Sequence, residues 1–370
     1  MRSTHLALLV FAVALAFAAA LVPVAAAIGR RFGILDDPGP RKVHRTPTPR
    51  VGGIALFSAF TLVVLAGYLG LPLVAQLDVA RTLLARPLSV LQEAYRVEAK
   101  LVGLLVGCAI TFAVGLLDDV LGPRFGPGWK LAGQVFAASV LVASGIRTDF
   151  LLYAPLNVLF SIFWIVAITN AFNLLDNMDG LSAGVAFVAS AVLLINAWLL
   201  GEVFIALLLV AFMGSLLGFL LHNWHPASIF LGDCGSLFIG FFLASLTLLQ
   251  RYVSHASSTY FPVLMPVLVL ALPILDTATV VFIRIREHRP IYVGDSRHLS
   301  HRLVSLGMRP PLAVVTIYLL AFGLGLGATG LADANLVHAT LILVQALAVV
   351  AVVLILLFYE RRAATPSPDP

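Results

Sequence analysis

Residues 151–180 read LLYAPLNVLFSIFWIVAITNAFNLLDNMDG, and this stretch decides the fold. Its first twenty residues carry no charge, and 152–170 is long enough to cross the hydrocarbon core of a bilayer as one helix. Its last ten residues bring Asn173, Asp176 and Asp179 at a spacing of three, with apolar runs on both sides. On a helical turn that spacing puts the three side chains on one face. Polar groups at membrane depth are expensive, and a helix cap needs one of them rather than three.

Working outward, the same apolar length recurs near 5–27, 51–75, 98–117, 130–147, 181–200, 203–222, 235–251, 260–283, 312–331 and 336–358. The fold class expected is therefore all-α: a polytopic membrane protein with about eleven transmembrane helices. Composition agrees, because 61% of the 370 residues are hydrophobic and 11% are charged, against about 25% charged in soluble domains. Residues 1–362 read as a single integral-membrane domain, and the Pro- and Ser-rich tail 363–370 as disordered.

Charge sets the expected topology. With the N-terminus outside, the inside segments 28–50, 118–130, 171–180, 223–234, 284–311 and the C-terminal tail hold sixteen of the twenty-three Lys and Arg residues. That bias follows the positive-inside rule and predicts N-terminus outside, C-terminus inside. It also accounts for the net charge of +5, since no basic stripe with interleaved aromatics points to nucleic acid. Val24-Ala25-Ala26-Ala27 has the small residues of a signal-peptidase site. The apolar stretch before it exceeds a usual h-region, however, and cleavage would put the most basic loop on the wrong face. Cys108 and Cys234 are too few for a disulfide framework and lack metal-ligand spacing.

The positive-inside rule says nothing about acids, yet ten aspartates fall on or beside the same face: Asp36, Asp37, Asp118, Asp119, Asp176, Asp179, Asp233, Asp276, Asp295 and Asp369. Their distribution over separate loops suggests one shared polar site. Asp118 and Asp119 end a spanning helix after Gly115-Leu116-Leu117, and two carboxylates that close call for a cation or a catalytic proton between them. Asp233, in Phe230-Leu231-Gly232-Asp233-Cys234-Gly235, is flanked by glycines that let backbone approach a ligand. It suits Mg²⁺, which takes one or two carboxylates plus phosphate oxygens. An N-cap is the plain alternative there. Arg297-His298-Leu299-Ser300-His301-Arg302 carries imidazoles and guanidinium groups fit for phosphate and proton handling, although a lone HxxH is weak as a metal motif. The segment Pro40 to Gly53 is basic, with paired prolines and glycines that an anchoring role does not explain. Asp36 and Asp37 have no assigned role, and Asp276 is expected to orient Arg284 or the metal site.

In order, PxPxxGG, GLLDD, NAFNLLDNMDGL, FLGDCGSLF and HLSHRL run along residues from about 33 to 308. Together they resemble the polyprenyl-phosphate N-acetylhexosamine-1-phosphate transferases of the glycosyltransferase family 4 type, relatives of the phospho-MurNAc-pentapeptide translocase. The resemblance implies transfer of an N-acetylhexosamine 1-phosphate, GlcNAc-1-phosphate being the expected one, from a UDP-sugar to undecaprenyl or another polyprenyl phosphate, releasing UMP. It implies Mg²⁺, with Mn²⁺ as a substitute, held by Asp233. It places Asp118, Asp119 and His298 in the catalytic role. Lys42, His44, Asn173, Asp176, Asp179, Arg297, His301 and Arg302 become substrate-binding residues. A lipid bilayer, a possible homodimer and an active site on the cytoplasmic face of the cell membrane are implied as well. One departure is Ser300, which takes the middle place of the HxHH arrangement common among sugar-type relatives. The translocase's run of adjacent histidines is absent, which points away from the pentapeptide nucleotide. A transporter with intramembrane acids is the alternative of a different class, but neither inverted repeats nor helices broken at the midplane are visible in the sequence.

Overall fold

The structure, a computed structural model, describes residues 2–37, 46–74, 98–252, 260–290 and 297–363. They group into two compact units, Met1–Gln250 and Arg251–Pro370. In the first, α1 (Arg2–Phe32) leads to β1 (Leu35–Asp36), which pairs antiparallel with β2 (Thr48–Pro49), Leu35 opposite Pro49 and Asp36 opposite Thr48. Then come α2 (Gly52–Val74), α3 (Glu98–Leu121), a 3-10 turn at Gly122–Arg124, α4 (Pro127–Ala143), α5 (Ala154–Leu175), α6 (Leu181–Leu199), α7 (Val203–Asn223) and α8 (Gly232–Leu249). Prolines at the start of α4 and α5 fall where a missing N–H costs nothing.

The core of this unit is α8. Every residue from Cys234 to Thr247 is buried, as befits a helix apolar all round. Helices α2, α3 and α5 pack on it, while α1 seats against α7 and α2. In a bilayer, lipid tails are as apolar as leucine, so close van der Waals packing and polar bonds must hold helices together. Both are present. A Cβ on Gly214 or Gly218 of α7 would stand 2.4 Å from the carbonyl oxygen of Phe11 or Leu15 in α1. Phe242 of α8 meets Phe60 of α2 at 4.8 Å and Phe212 of α7 at 4.3 Å between ring centroids. Cys108 is fully buried, as a small apolar side chain would be.

The second unit contains a 3-10 turn (Phe261–Leu264), α9 (Met265–Val269), α10 (Ala271–Arg286), α11 (Leu299–Ser305), α12 (Pro310–Thr329) and α13 (Leu336–Ala363). Helices α9, α10, α11 and α13 all pack on α12. The span expected at 260–283 is bent by 68° between α9 and α10. Pro273 lacks the N–H that would continue the helical ladder to Val269, which accounts for the break.

Among the described residues, nine helices are long and apolar enough to cross a membrane, and the bent pair brings the number to ten if it is one span. The remaining expected stretch, 130–147, corresponds to α4, whose 17 residues sit at the short end of spanning length. Leu8, Phe17 and Val24 on α1 and Leu341, Val344 and Ile355 on α13 are exposed, which water would penalise and lipid tails do not. The chain is an all-α, multi-pass membrane protein.

Candidate functional site

The site grows from the first turn of α8. Backbone bonds run from Phe230 N–H to Pro49 O (2.8 Å), from Gly52 N–H to Phe230 O (2.9 Å) and from Gly53 N–H to Leu231 O (2.9 Å). A Cβ on Gly53 would lie 2.2 Å from the Gly235 nitrogen, and one on Gly115 would lie 2.3 Å from the Asp233 carbonyl oxygen. Only residues without a side chain let α2 and α3 press this closely on the start of α8. That is the physical content of the glycines in PxPxxGG and GLLDD.

The two adjacent aspartates of α3 have different tasks. Asp119, only 5% exposed, accepts the backbone N–H of Asp233 at 3.0 Å on one oxygen and that of Cys234 at 2.9 Å on the other. It thus satisfies two of the unpaired donors at the N-terminus of α8 and places negative charge at the positive end of that helix. The Arg50 guanidinium donates to the Asp119 carbonyl oxygen at 3.0 Å and stands 3.8 Å from its carboxylate. Asp118 points elsewhere: its Oδ2 accepts from Lys130 Nζ at 3.0 Å.

Lys130, in the first turn of α4, is the residue that sequence reasoning passed over, having counted it only as inside charge. Its ammonium donates to Asp118, to Asn173 Oδ1 at 3.0 Å and to Asp233 Oδ2. Oxygens from α3, α5 and α8 therefore converge on one cation supplied by α4. Its mark in the sequence is a lone lysine at the edge of an apolar run, next to Trp129 and Leu131. One turn deeper, the side chains of Gln134 and Asn170 bond each other in both directions, at 3.3 and 2.5 Å, and fix α4 against α5.

Asn173 joins the cluster as expected, donating from Nδ2 to Asp233 Oδ1 and to Ser236 Oγ, both at 2.9 Å. The common helical face predicted for Asn173, Asp176 and Asp179 is not what forms. Helix α5 stops at Leu175, and 176–180 make a turn ending at Gly180 with φ 75°, so Asn173 stays in the last turn of the helix while Asp176 and Asp179 lie beyond it. The Asn177 side chain donates to Leu174 O at 3.0 Å, a local bond that competes with further helix. Asp179 accepts the Ala227 N–H at 3.2 Å and lies 2.8 Å from His225 Nδ1. Asn223 accepts from Gly180 N–H and donates to Ile229 O, so the loops 176–180 and 223–231 are tied into one body. Burial, and then the fields of Asp233, Asp119 and Asp179, push Asp176 well above the ordinary carboxylate range.

Among the described residues, no group of three His, Cys, Asp or Glu side chains could hold a metal ion unaided. The oxygens around Lys130 nonetheless suit a hard cation that brings phosphate ligands of its own, because Mg²⁺ needs only one or two protein carboxylates. The ammonium stands in for such a cation on Asp233.

The second unit carries the histidine motif. His298 precedes α11, its Nδ1 2.6 Å from Asp276 Oδ2, and the rings of His298 and His301 lie 6.5 Å apart. Arg297 pairs with Glu287 at 2.7 Å. Arg302, 6% exposed, donates to the carbonyl oxygens of Arg297 and Leu357 and ties α11 to α13. Lys42, His44 and Asp295 lie outside the described residues.

A family model described as glycosyl transferase family 4 matches residues 101–250, the stretch from α3 to α8 that holds Asp118, Lys130, Asn173 and Asp233. The chain is similar to the probable undecaprenyl-phosphate N-acetylglucosaminyl 1-phosphate transferase of Bacillus subtilis, 32% identical over 335 residues, 88% of this chain and 85% of that protein. It is 34% identical over 339 residues to the decaprenyl-phosphate N-acetylglucosaminephosphotransferase of Mycobacterium leprae, covering 83% of this chain and 79% of that one. Similarity to the phospho-N-acetylmuramoyl-pentapeptide-transferase of Limosilactobacillus fermentum is shorter, 36% over 151 residues, which is 38% of this chain and 47% of the other. With family-level similarity running through the helices that build the site and through most of the chain, the protein belongs to glycosyl transferase family 4.

Proposed function

We propose that this enzyme transfers GlcNAc 1-phosphate from UDP-GlcNAc to undecaprenyl or another polyprenyl phosphate, releasing UMP, and so initiates a cell-envelope polysaccharide. The observation that carries the reading is the convergence of Asp118, Asn173 and Asp233 on Lys130 where helices α3, α4, α5 and α8 meet. Relatives that match most of the chain bear the names of N-acetylglucosamine phosphotransferases, whereas the pentapeptide-transferase similarity spans 38% of it. On the positive-inside count this site belongs to the cytoplasmic side of the cell membrane.

The reaction must bring two anions together. An oxygen of the lipid phosphate attacks the phosphorus that carries the sugar; the new P–O bond forms as the bond to UMP breaks. Lys130 supplies fixed positive charge for the phosphoryl oxygens, and pre-aimed charge of this kind stabilises the transition state without reorganisation. Asp118 is the better candidate to take a proton from the lipid phosphate, because both oxygens of Asp119 already accept backbone N–H groups. Mg²⁺, or Mn²⁺ in its place, would be held by Asp233 and phosphate oxygens and would neutralise charge on the transferring group. For Lys42, His44, Asp176, Asp179, Arg297, His301 and Arg302 the proposed roles are those of the motifs they match: the basic loop, nucleotide binding, and contact with the diphosphate and sugar; His298, in the same histidine motif, is proposed as a catalytic residue.

The test is direct. Membranes containing the protein are incubated with polyprenyl phosphate, Mg²⁺ and, separately, UDP-GlcNAc, UDP-GalNAc or the UDP-MurNAc-pentapeptide, and the lipid product is identified by mass. UMP release with UDP-GlcNAc, abolished by Asp233→Ala, is expected. No UMP from any donor would end the enzyme reading, and release only from the pentapeptide nucleotide would replace the substrate.

A further inference from the structure

Asp276 of α10 has both carboxylate oxygens committed to the turn that opens α11. Oδ2 lies 2.6 Å from His298 Nδ1, and Oδ1 accepts the Leu299 N–H at 2.7 Å. The pair is nearly sealed, the two side chains being 4% and 3% exposed. An ionised carboxylate can only accept, so Nδ1 of His298 must be the donor. In a neutral imidazole the other nitrogen, Nε2, is then a bare acceptor. Capping the short helix α11 needs only the oxygen on Leu299; the second oxygen, on the imidazole, does something a cap does not require.

We propose that Asp276 is a positioning residue that locks His298 in its Nδ1–H tautomer and leaves Nε2 bare as an acceptor. The inference rests on the reading of His298 as a catalytic residue. It replaces the expectation that Asp276 orients Arg284 or a metal site. The same two bonds make the asparagine variant unusually informative. The Leu299 N–H can only donate, so it claims the single oxygen left in Asp276→Asn. The new amide NH₂ group then faces Nδ1, which must become the acceptor, and the proton moves to Nε2. Shape is kept and the tautomer is reversed.

The experiment uses the full-length protein in detergent micelles, with its nine histidines nitrogen-labelled and the His298 signal assigned by its loss in His298→Gln. Histidine-nitrogen NMR should show a protonated Nδ1 and a bare Nε2 in the unaltered chain, and the reverse in Asp276→Asn. Turnover with UDP-GlcNAc should fall in Asp276→Asn by roughly 10²- to 10⁴-fold, the range for lost proton transfer or a wrong tautomer, with KM held within about threefold. A neutral His298 protonated at Nε2 in the unaltered chain would overturn the proposal, and this needs no variant to fold. Reversal of the tautomer without loss of kcat would overturn it too. His298→Gln with unchanged turnover is a separate outcome: it would remove the catalytic reading of His298, and the proton-acceptor role of Nε2 with it.

Discussion

Asp119 lies beneath Asp233, its two carboxylate oxygens accepting the N–H groups of Asp233 and Cys234 at 3.0 and 2.9 Å. Adjacent residues on a helix point about 100° apart, so neighbours in sequence are not neighbours on a face. Asp118 turns to Lys130 and Asp119 turns to the α8 N-terminus. One keeps its carboxylate on the Lys130 ammonium; the other holds the first turn of α8, and Asp233 with it, in place.

The division predicts opposite phenotypes. Asp119→Asn keeps a single acceptor oxygen for two N–H groups, and should lower stability by about 1 kcal/mol, the usual worth of a helix cap. Because Asp233 is then less well held, half-maximal UMP release should need more Mg²⁺. Asp118→Asn should leave the melting temperature nearly unchanged and cost at least about 10²-fold in kcat. Thermal unfolding and Mg²⁺ titrations separate the two. A melting temperature for Asp119→Asn equal to that of the unaltered protein would remove the capping role.

Lys130 is the next test. Lys130→Met keeps the length of the stem and removes the charge, and should reduce kcat by roughly 10²- to 10³-fold, as loss of one preorganised electrostatic group does. Lys130→Arg should recover little, because a planar guanidinium cannot reproduce a point charge shared among Asp118, Asn173 and Asp233. Turnover in the Met variant near that of the unaltered chain would show that Lys130 serves only to balance the acids.

Much of this was legible in the sequence, and the failures have physical causes. Among the described residues, apolar length alone locates the helices that can span a bilayer, because lipid cannot satisfy backbone polar groups and leaves no other solution. The polar cluster is legible as well, since Asp118, Asn173 and Asp233 stand out against apolar surroundings. Lys130 is hidden because the positive-inside rule already explains a lysine at a helix end. The turn at 176–180 is hidden because a spacing of three looks helical until Asn177 and Gly180 are read as turn residues. Asp276 could not be assigned because its partner, His298, lies 22 residues away and only the packing of α10 against the start of α11 brings them together.

Close approach at Gly115 makes a prediction about packing. In Gly115→Ala the new methyl would meet the Asp233 carbonyl and the Cys234 Cα, at 2.3 and 2.6 Å. Both contacts are backbone and cannot rotate away. Overpacking of this kind costs about 1–3 kcal/mol, and here it also displaces the first turn of α8. Loss of activity should therefore exceed loss of stability. Gly67, inside α2 with open space around it, is the control: Gly67→Ala should keep activity and hold stability or raise it by about 0.5–1 kcal/mol. Equal behaviour of the two variants would contradict the packing argument.

Asp176 gives a pH dependence with a definite sign. Its carboxyl holds its proton to higher pH in the folded protein than in the unfolded chain, where a value near 3.9 is ordinary. Between those two values the folded state binds more protons, so stability falls as pH rises, by at most about 1.4 kcal/mol per pH unit for one group. In EDTA, the melting temperature of the unaltered protein should decline from about pH 5 upward more steeply than that of Asp176→Asn. Mg²⁺ should narrow the difference by supplying the missing positive charge. Parallel curves in EDTA would show that Asp176 does not carry this penalty.

The pair formed by Gln134 and Asn170 tests how the site is held from below. Each amide satisfies the other at membrane depth, one turn beneath Lys130 on α4 and one turn beneath Asn173 on α5. Gln134→Leu leaves the half-buried Asn170 with its Oδ1 unpaired, its Nδ2 keeping the Val166 carbonyl oxygen, and should cost about 1 kcal/mol. Replacing both restores an apolar contact of similar volume, and Gln134→Leu with Asn170→Leu should recover most of that loss. The coupling energy from the double-mutant cycle should be about 1 kcal/mol, in the range found for polar pairs between membrane helices. Activity is expected to follow a different order. If the pair sets the register that brings Lys130 to Asn173, the double variant will regain stability but not kcat, because leucines slide where paired amides do not. A double variant that regains both would reduce the pair to packing and leave the position of Lys130 to α4 alone.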